Sequence, residues 1–391
     1  MTFYKLNLNH TLLKPNNFSI TVSNEPDDKK KISSSLSSHL SSIKAKIDDY
    51  QYEWDNVKKY VNPYEYIHTV VPKQKSSISK YKPLSRSFFK MIEICKTHNL
   101  LSSFSNDPLT SFHLAEGPGG FIEALLVMRK QKEDQYNGMT LLDESEGVPG
   151  WKKGEDFFKK HSNITLHSGP NKNGNLFDVE NYIYCAKKFV NRVNIISGDG
   201  GFDFSLDFNK QEIMSTKLII AQMVYALTMQ ALNGSLILKV FDCYSKAMVD
   251  VIYILSCFYN EVYIMKPNTS RYANSEKYLV CKEFKYRSTQ FMIPVFEEIL
   301  LACNSTDYIT GLLNVSISNH FLSKLEDINT IFGQQQIQFI LSTLDVIKRR
   351  DKNERLETMK KKNIKKSIDW CIKHNIDYHN YDRHENIFLK R

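Results

Sequence analysis

Residues 112–126 read FHLAEGPGGFIEALL, which is an apolar strand pattern, a glycine-rich turn and an apolar helix pattern in succession. Gly117, Gly119 and Gly120 let the backbone turn sharply and come close to a ligand, because glycine carries no Cβ. The stretch lacks the lysine of the phosphate-binding motif G-x-x-x-x-G-K-[ST], which disfavours hydrolysis of ATP or GTP. The pattern therefore predicts a ligand-binding turn after the first strand of an α/β domain.

On the C-terminal side of this turn, short apolar strands alternate with helical patterns as far as about residue 284. This alternation predicts a Rossmann-like, mostly parallel, seven-stranded sheet. Only ten residues join the last two predicted strands, too few for a crossover helix, so we expect the last strand to be antiparallel. We predict strands at Phe112–Glu116, Met139–Leu142, Ile164–His167, Val193–Gly198, Leu236–Phe241, Val262–Lys266 and Lys277–Phe284, and helices at about residues 120–131, 178–190, 210–232 and 244–259.

The flanking regions have a different composition, which predicts an N-terminal arm and helix over residues 1–80, a central domain over 81–300, and a helical, basic C-terminal extension over 301–391. Residues 1 to about 35 show little periodicity and are interpreted as a loose or peripheral arm. A helix fits Leu84–Leu100. Beyond about residue 300 we expect no further strands, and residues 348–366 are rich in lysine and arginine.

The bulk composition is that of a soluble globular protein, with 42% hydrophobic and 24% charged residues in 391. The longest apolar stretch, Leu218–Leu232, contains Gln222, Thr228 and Gln230, so we expect no membrane span. Neither a signal sequence nor a paired-cysteine motif is visible. This predicts an intracellular protein, in the cytoplasm or nucleus, with free buried thiols and no structural zinc site. The net charge of +9 modestly favours a polyanionic partner.

Two ionisable residues follow neighbouring strand patterns. Asp199 ends one apolar strand in a glycine turn, and Lys239 lies within the next apolar run. If these strands are adjacent, a spacing of about 4.8 Å brings the two side chains within salt-bridge reach. Such a lysine can accept the proton of an attacking hydroxyl. A structural ion pair at the end of a sheet is the alternative interpretation, and the strand pattern does not separate the two.

Asp143 lies about twenty residues beyond the glycine turn, at the end of the second predicted strand. An acid at this distance binds the ribose in dinucleotide enzymes. A simple turn residue beside Glu144 and Glu146 is an equally good interpretation.

Four motifs, in their order along the chain, resemble those of the FtsJ/RrmJ-like 2′-O-methyltransferases. They begin at Glu116 (EGPGGF), Asp199 (DGGF), Lys239 (KVFD) and Lys266 (KPNTSRYANSEKYLVCK). The similarity covers about residues 85 to 285, and the last motif is the most specific. Within that family the sequence is most similar to the cap-specific mRNA (nucleoside-2′-O-)-methyltransferases of eukaryotes and large DNA viruses.

This resemblance implies a catalytic tetrad of Lys90, Asp199, Lys239 and Glu276. Lys82 and Lys96 are alternatives to Lys90. Lys239 would be the base or would stabilise the developing alkoxide, Asp199 and Glu276 would orient it, and Lys90 would act as a nearby like charge. The implied cofactor is S-adenosyl-L-methionine, and the chemistry requires no metal. The residues implied to bind this cofactor are Gly117, Pro118, Gly119, Gly120, Phe121, Asn175, Leu176 and Asp199.

One position departs from the family pattern. The chain carries Gly174-Asn175-Leu176 where relatives usually have Gly-Asp-Ile beside the adenine, so an amide replaces an acid. The polar contact at this position is therefore expected to be weaker or differently oriented.

The function implied is methylation of a ribose 2′-hydroxyl at the first or second transcribed nucleotide of capped mRNA. Capped RNA is the expected partner, with other capping or transcription proteins as further candidates and no membrane. Methylation of ribosomal or transfer RNA is one alternative, and a catalytically inactive RNA-binding subunit of a capping complex is another. The richness in Lys, Asn, Ile and Tyr suggests an AT-rich genome, which suits a large DNA virus or a protist. If the source is a large DNA virus, a virion location is a further candidate.

Two further features keep two interpretations each. The basic run Lys348–Lys366 fits a surface that contacts RNA phosphates, and it also fits a solvated helix face, because acidic residues interrupt it. An aromatic cluster fits either stacking on RNA bases or on the cap guanine, or packing of a helix onto the central domain. Its members are Tyr50, Tyr52, Trp54, Tyr60, Tyr64 and Tyr66.

Overall fold

The computed structural model describes residues 2–6, 11–26, 31–104, 107–143, 148, 150–201, 211–349 and 351–381. Within these residues the strands form an eight-stranded sheet, in the order β1-β8-β9-β7-β6-β3-β4-β5, and a separate two-stranded sheet of β10 and β2. Helices cover both faces of the large sheet. Arg350 of the basic run, together with Glu144 and Glu146, lies outside the described residues.

The bounds of the elements are as follows. The strands are β1 (Thr2–Lys5), β2 (Phe18–Ser23), β3 (Thr110–Leu114), β4 (Gln135–Met139), β5 (Ile164–His167), β6 (Val193–Gly198), β7 (Gln230–Val240), β8 (Tyr259–Lys266), β9 (Lys277–Phe284) and β10 (Tyr308–Leu313). The helices are α1 (Ser34–Ala45), α2 (Gln51–Val61), α3 (Ser87–His98), α4 (Gly120–Arg129), α5 (Glu155–Lys160), α6 (Val179–Phe189), α7 (Gln211–Met229), α8 (Lys246–Phe258), α9 (Ile293–Asn304), α10 (Asn319–Lys348) and α11 (Lys352–His374).

The predicted α/β class is confirmed. Strands β7, β6, β3, β4 and β5 are parallel neighbours, while β9 is antiparallel to both β7 and β8. The last strand is therefore antiparallel, as the short connection from β8 to β9 predicted. Alternate residues of β7 enter the two opposite cores, Leu236 and Leu238 on one face and Ile237 on the other.

The predicted second strand is wrong by about four residues, because β4 ends at Met139, where the prediction began. The prediction missed this strand because Asn137 and Gly138 are residue types typical of turns. In the fold, the Asn137 side chain donates to the Ser111 carbonyl at 3.2 Å and pairs with His167 Nε2 at 3.0 Å. Gly138 makes room for Trp151, whose ring lies 3.0 Å from where a Cβ would be. A buried polar strand residue is tolerated here because its hydrogen bonds are satisfied.

The interpretation of the N-terminus as a loose arm is also wrong, as is the expectation that strands end near residue 300. Strand β1 adds an eighth, antiparallel strand beside β8, with Thr2 opposite Lys266. Strand β10 pairs with β2, with Tyr308 opposite Ser23. Both pairings join segments separated by more than 250 residues, and such partners leave no local pattern in the sequence.

Helices from the N-terminal and C-terminal regions pack against each other. Helix α10 packs against α1 and α2, and α11 packs against α2 and α3. A separate apolar cluster joins Leu40, Ile43 and Trp54 to Ile337 and Ile340. Helix α10 also contributes Phe321 and Leu325 to the core on one face of the sheet, and α11 contributes Ile368 and Trp370 to the core on the other face. Among the described residues, no helix combines the length and hydrophobicity needed to cross a membrane, and the seven cysteines are buried free thiols.

A buried ion pair stabilises the turn between α4 and β4. Arg129 Nε and one of its terminal nitrogens each donate to Asp134 at 2.8 Å, and the exposed fractions of the two side chains are 4% and 0%. Asp134 also accepts from the Leu109 amide and the Tyr136 hydroxyl. Removing the carboxylate leaves a buried guanidinium and two donors without their acceptor.

We therefore expect Asp134→Ala to lower the free energy of unfolding by about 3 kcal/mol. The matched control is Asp345→Ala, because Asp345 pairs with Arg349 at 2.8 Å on the exposed surface of α10. An exposed pair contributes little, so this variant should unfold close to wild type. Urea denaturation compares the three proteins, and equal losses for the two variants would contradict the assigned role of burial.

Candidate active site

One cavity of about 530 Å³ opens at the edge of the sheet where the parallel strands end. In doubly wound sheets this is the edge at which ligands bind. Eight of the residues singled out from the sequence line it. They are Lys90, Gly117, Pro118, Asn175, Leu176, Asp199, Lys239 and Glu276.

Lys90 and Glu276 form a nearly buried ion pair inside this cavity. The Lys90 Nζ lies 2.7 Å from Oε1 and 2.9 Å from Oε2 of Glu276. Burial lowers the pKa of Lys90, and Glu276 opposes this change. Burial alone would raise the pKa of Glu276, but the charges of Lys90, Lys239 and Arg86 outweigh it and hold this pKa well below its usual range. Glu276 is therefore a carboxylate.

The alternatives to Lys90 lie elsewhere. Lys82 is exposed, and Lys96 donates to the backbone carbonyl of His374 in α11. Of the three lysines considered, Lys90 is the one that lines the cavity.

Lys239 and Asp199 form the second ion pair. Strands β6 and β7 are neighbours, with Gly198 opposite Leu238, so the two residues that follow lie side by side. Lys239 Nζ lies 3.3 Å from Asp199 Oδ1 and donates to the Asp199 carbonyl at 2.6 Å. The antiparallel insertion of β9 places Tyr278 opposite Lys239, and the Tyr278 hydroxyl donates to Asp199 Oδ1 at 2.8 Å. The Asp199 carboxylate is thus fixed from two sides.

Sequence reasoning missed Tyr278. It follows Glu276 by two residues at the start of β9, and its ring lies 5.9 Å from Lys90 Nζ. Burial raises the pKa of Tyr278 well above its usual value, so its hydroxyl keeps its proton and remains a donor. The period-two spacing from Glu276 was the available signal, because alternate strand residues share a face.

The glycine turn has two parts with different roles. Gly117 lines the cavity, and a Cβ there would lie 2.2 Å from the carbonyl oxygen of Gly150. Of the described residues that line the cavity, none is Gly119, Gly120 or Phe121. Gly119 has a φ of +103°, and a side chain there would meet Phe158 rather than the cavity.

Glu116 fixes the start of this turn and was not singled out from the sequence. Its buried carboxylate accepts from the Phe121 amide and lies 2.9 Å from His113 Nδ1. Burial raises the pKa of Glu116. The carboxyl group ties the strand end to the first turn of α4, which keeps Gly117 and Pro118 at the cavity wall.

The segment Gly174-Asn175-Leu176 forms another part of the wall. Gly174 has a φ of +60°, and a Cβ there would lie 2.0 Å from the Thr140 carbonyl. The Asn175 side-chain oxygen accepts from the Phe177 amide at 3.0 Å, so it stabilises its own turn. At the end of β4 the lining residues are Thr140 and Leu141, and Asp143 lies further along the chain.

Residues 266–276, the first part of the last motif, form a loop that ends at Glu276 and that is held in place by several hydrogen bonds, here called the clamped loop. The fully buried Lys266 ammonium donates to the carbonyls of Asn274 and Glu276, each at 2.7 Å. Glu93, on the same helix as Lys90, accepts from the amides of Asn268 and Thr269 at 2.9 and 3.1 Å. This loop is consequently held to the helix that carries the partner of Glu276.

Glu65, from the N-terminal region, clamps the other side of the loop. Its side chain is fully buried and accepts from Arg271 Nε at 2.9 Å and from a terminal nitrogen at 2.5 Å. Burial alone would raise the pKa of Glu65, but the hydrogen bonds and charge of Arg271 outweigh it and lower the pKa to about 2. The N-terminal region is therefore coupled to the loop that carries Glu276.

The cavity is suited to S-adenosylmethionine. Its volume of about 530 Å³ lies within the usual range of roughly 300–1,000 Å³ for small-molecule sites. Leu141, Val148 and Phe177 offer apolar walls, while Asn175 and Asp199 offer polar groups. At Gly117 the wall is so tightly packed that an added Cβ would force the backbone to move away from Gly150.

The Glu65–Arg271 pair predicts a pH-dependent stability. Because the pKa of Glu65 is lowered from 4.5 to about 2, its stabilisation is present above pH 4.5 and is lost as the pH falls towards 2. At about 1.4 kcal/mol per pKa unit, this amounts to on the order of 3 kcal/mol. We expect the difference in unfolding free energy between wild type and Glu65→Gln to shrink over this window. Urea denaturation at several pH values measures it, with Glu298→Gln, an exposed acid of α9, as control. A constant difference would contradict the assignment.

Comparison with known proteins identifies the family. Residues 83–284 match the family model described as FtsJ-like methyltransferase, which is slightly more than half of the chain. The chain is 29% identical over 327 residues to cap-specific mRNA (nucleoside-2′-O-)-methyltransferase 1 of Drosophila melanogaster, covering 76% of this chain and 39% of that protein. It is 34% identical over 196 residues to the Mus musculus protein of the same name, covering 48% of this chain and 23% of that protein. The chain thus spans less than half the length of these relatives.

Among solved structures, a ribosomal RNA methyltransferase from Plasmodium falciparum aligns with 52% of this chain and 99% of that chain, at 17% identity and a TM-score of 0.37. The family match covers the glycine turn, both ion pairs and strands β3 to β9. The chain therefore belongs to the FtsJ-like methyltransferase family, and its cofactor is S-adenosylmethionine.

Proposed function

We propose that this protein methylates a ribose 2′-hydroxyl of RNA, at the first or second transcribed nucleotide of capped mRNA. The observation that carries the proposal is the convergence of two lysine–carboxylate pairs, Lys90–Glu276 and Lys239–Asp199, in one cavity beside the glycine turn. A methyl transfer to a hydroxyl needs a group that receives a proton and groups that orient it. This arrangement supplies both.

The roles proposed for the four side chains follow from their contacts. When bound, S-adenosylmethionine supplies an electrophilic methyl group. Lys239 is the base for the 2′-hydroxyl, or it stabilises the charge that develops on the oxygen as the proton leaves. Asp199 orients the Lys239 side chain, whose neutral amine form accepts the proton if Lys239 is the base, and Glu276 fixes Lys90 in the same cavity. The ordered walls reduce the loss of freedom needed to align the reacting atoms.

The proposed cofactor contacts are those that line the cavity, Gly117, Pro118, Asn175, Leu176 and Asp199. Gly119, Gly120 and Phe121 are proposed as supports of the turn. Asn175 replaces the usual acid, and its oxygen already accepts from the Phe177 amide. We infer that its contact with the cofactor uses the amide nitrogen, which is a donor.

Two observations favour capped mRNA over the alternatives. The similarity to the Drosophila protein extends over 76% of the chain, well beyond the family match at residues 83–284. The extensions also touch the site, because Glu65 clamps the loop that carries Glu276. An inactive subunit is disfavoured, since burying Lys90 and Glu276 and partly burying Lys239 and Asp199 is costly, and a scaffold gains nothing from it.

Among the described residues of the basic C-terminal run, some pair with acids and others make no ion pair. Arg349 pairs with Asp345, and Lys360 pairs with Glu357, as on a solvated face. Lys361, Lys362 and Lys365 are exposed on α11. We assign phosphate contacts to these three lysines only.

Lys239→Met is expected to lower kcat for methyl transfer to capped RNA by about 100-fold or more, because the variant loses the proton acceptor but keeps the chain length. Binding of S-adenosylmethionine, measured by calorimetry, should change little. Lys187→Met, an exposed lysine of α6, is the matched control and should retain activity. Mass-spectrometric mapping of a short capped transcript identifies the methylated nucleotide. Methylation of uncapped ribosomal or transfer RNA alone would overturn the proposed substrate, and near-normal activity of Lys239→Met would remove Lys239 from the mechanism.

Gly117→Ala is expected to weaken S-adenosylmethionine binding about tenfold or more, a loss of about 1.4 kcal/mol. The reason is that the added Cβ would lie 2.2 Å from the Gly150 carbonyl, and two backbone segments must separate. The control, Gly333→Ala in α10, meets the flexible side chain of Leu36 instead. Calorimetry compares the affinities. An unchanged affinity in the Gly117 variant would locate the cofactor away from this turn.

A further inference from the structure

A second cavity, of about 370 Å³, adjoins the one that holds the two ion pairs. Its walls come from α2, from α10 and from the loop of residues 271–274, so both extensions contribute to it. Arg86, Gln211 and Asn274 line both cavities. The two spaces are therefore consecutive, and Arg86 stands where they meet.

Arg86 differs from the other cations of the second cavity. Lys44 pairs with Asp242, Lys58 with Asp55 and Arg271 with Glu65. Among the described residues, the Arg86 guanidinium makes no hydrogen bond or ion pair, although its side chain is half-buried. A guanidinium carries five donors in a planar fork that matches phosphate oxygens, so this group is suited to hold an anion between the two cavities.

The interior of the second cavity is suited to a flat ring. Tyr272 and Phe339 stack with their ring centroids 4.7 Å apart and their planes tilted by 20°, and Trp54 forms another part of the wall. Phe339 is only half-buried, so its ring remains accessible from the cavity. Aromatic side chains of this kind hold the bases of single-stranded RNA by stacking, whatever the base.

We propose that this second cavity binds the base of a nucleotide next to the methylated ribose, and that Arg86 holds the phosphate that links the two nucleotides. The inference rests on the proposed function, because it places the target ribose beside Lys239. The cavity adjoins that site directly, and Arg86, which makes no ion pair with any residue that the structure describes, lies at the junction. A ribose, a phosphate and a base then occupy three consecutive positions, which would keep the 2′-oxygen in line with the methyl group.

The first test removes the base. Short capped RNAs, each lacking one base that flanks the methylated position, are compared with the intact RNA for binding to wild type and Phe339→Ala. For one flanking position, we expect the missing base to weaken binding to wild type about tenfold, and to Phe339→Ala about twofold or less. Phe339→Leu, which keeps apolar packing, should behave like the alanine variant. Phe291→Ala, an exposed phenylalanine outside the cavity, should behave like wild type.

The second test removes the charge of the phosphate. A methylphosphonate at the linkage beside the methylated ribose should raise the KM of wild type about tenfold, and that of Arg86→Gln by much less. Arg86→Lys should fall between them, because it keeps the charge and loses the fork. Arg287→Gln, a surface arginine that lines neither cavity, is the control and should respond as wild type does.

The outcomes separate this inference from the proposed function. If wild type methylates the intact capped RNA but the effects of base and phosphate are the same in all variants, the second cavity has another occupant, such as an apolar side chain of a protein partner. The inference is then overturned and the proposed function stands. If wild type methylates no RNA, the proposed function itself fails.

Discussion

Two ion pairs withdrawn from water, Lys90 with Glu276 and Lys239 with Asp199, constrain the whole carboxyl edge of the sheet. An isolated buried charge is too costly to persist, so each partner depends on the exact placement of the other. Lys239 and Asp199 meet because β6 and β7 are parallel neighbours. Glu276 reaches Lys90 because β9 enters antiparallel between β7 and β8 and is preceded by a short, clamped loop.

The clamped loop explains why so many polar residues are buried near the site. Lys266 fixes the loop from within, Glu93 from helix α3 and Glu65 from the N-terminal region. Each of these contacts satisfies a backbone or side-chain group that would otherwise be buried without a partner. The consequence is that the N-terminal region, although remote in sequence, packs directly against the loop that carries Glu276. The N-terminal extension is thereby linked to the loop that carries Glu276, and both extensions contribute walls to the second cavity.

Features that depend on local interactions could be predicted from the sequence, whereas features that depend on contacts between distant segments could not. Strands β5, β6 and β9 have the predicted bounds, because their apolar periodicity is local and uninterrupted. Strand β4 was misplaced because Asn137 carries a buried amide whose partners, Ser111 and His167, lie on other strands. At the site, Lys239 and Asp199 could be paired from the strand pattern, while the choice of Lys90 relied on family resemblance.

The sequence by itself determined the α/β class, the glycine turn, the antiparallel last strand and the identities of the ionisable residues at the strand ends. Each of these features depends on a short segment of sequence, through its apolar periodicity, a motif or the length of a connection. Only the tertiary structure decided that β1 pairs with β8, that β2 pairs with β10, and that Gly117 lines the cavity while Gly119, Gly120 and Phe121 do not. It also decided that Arg86 lies between two cavities and, among the described residues, makes no ion pair. These features depend on contacts between segments far apart in the chain, and burial and pairing at that range leave no local signal.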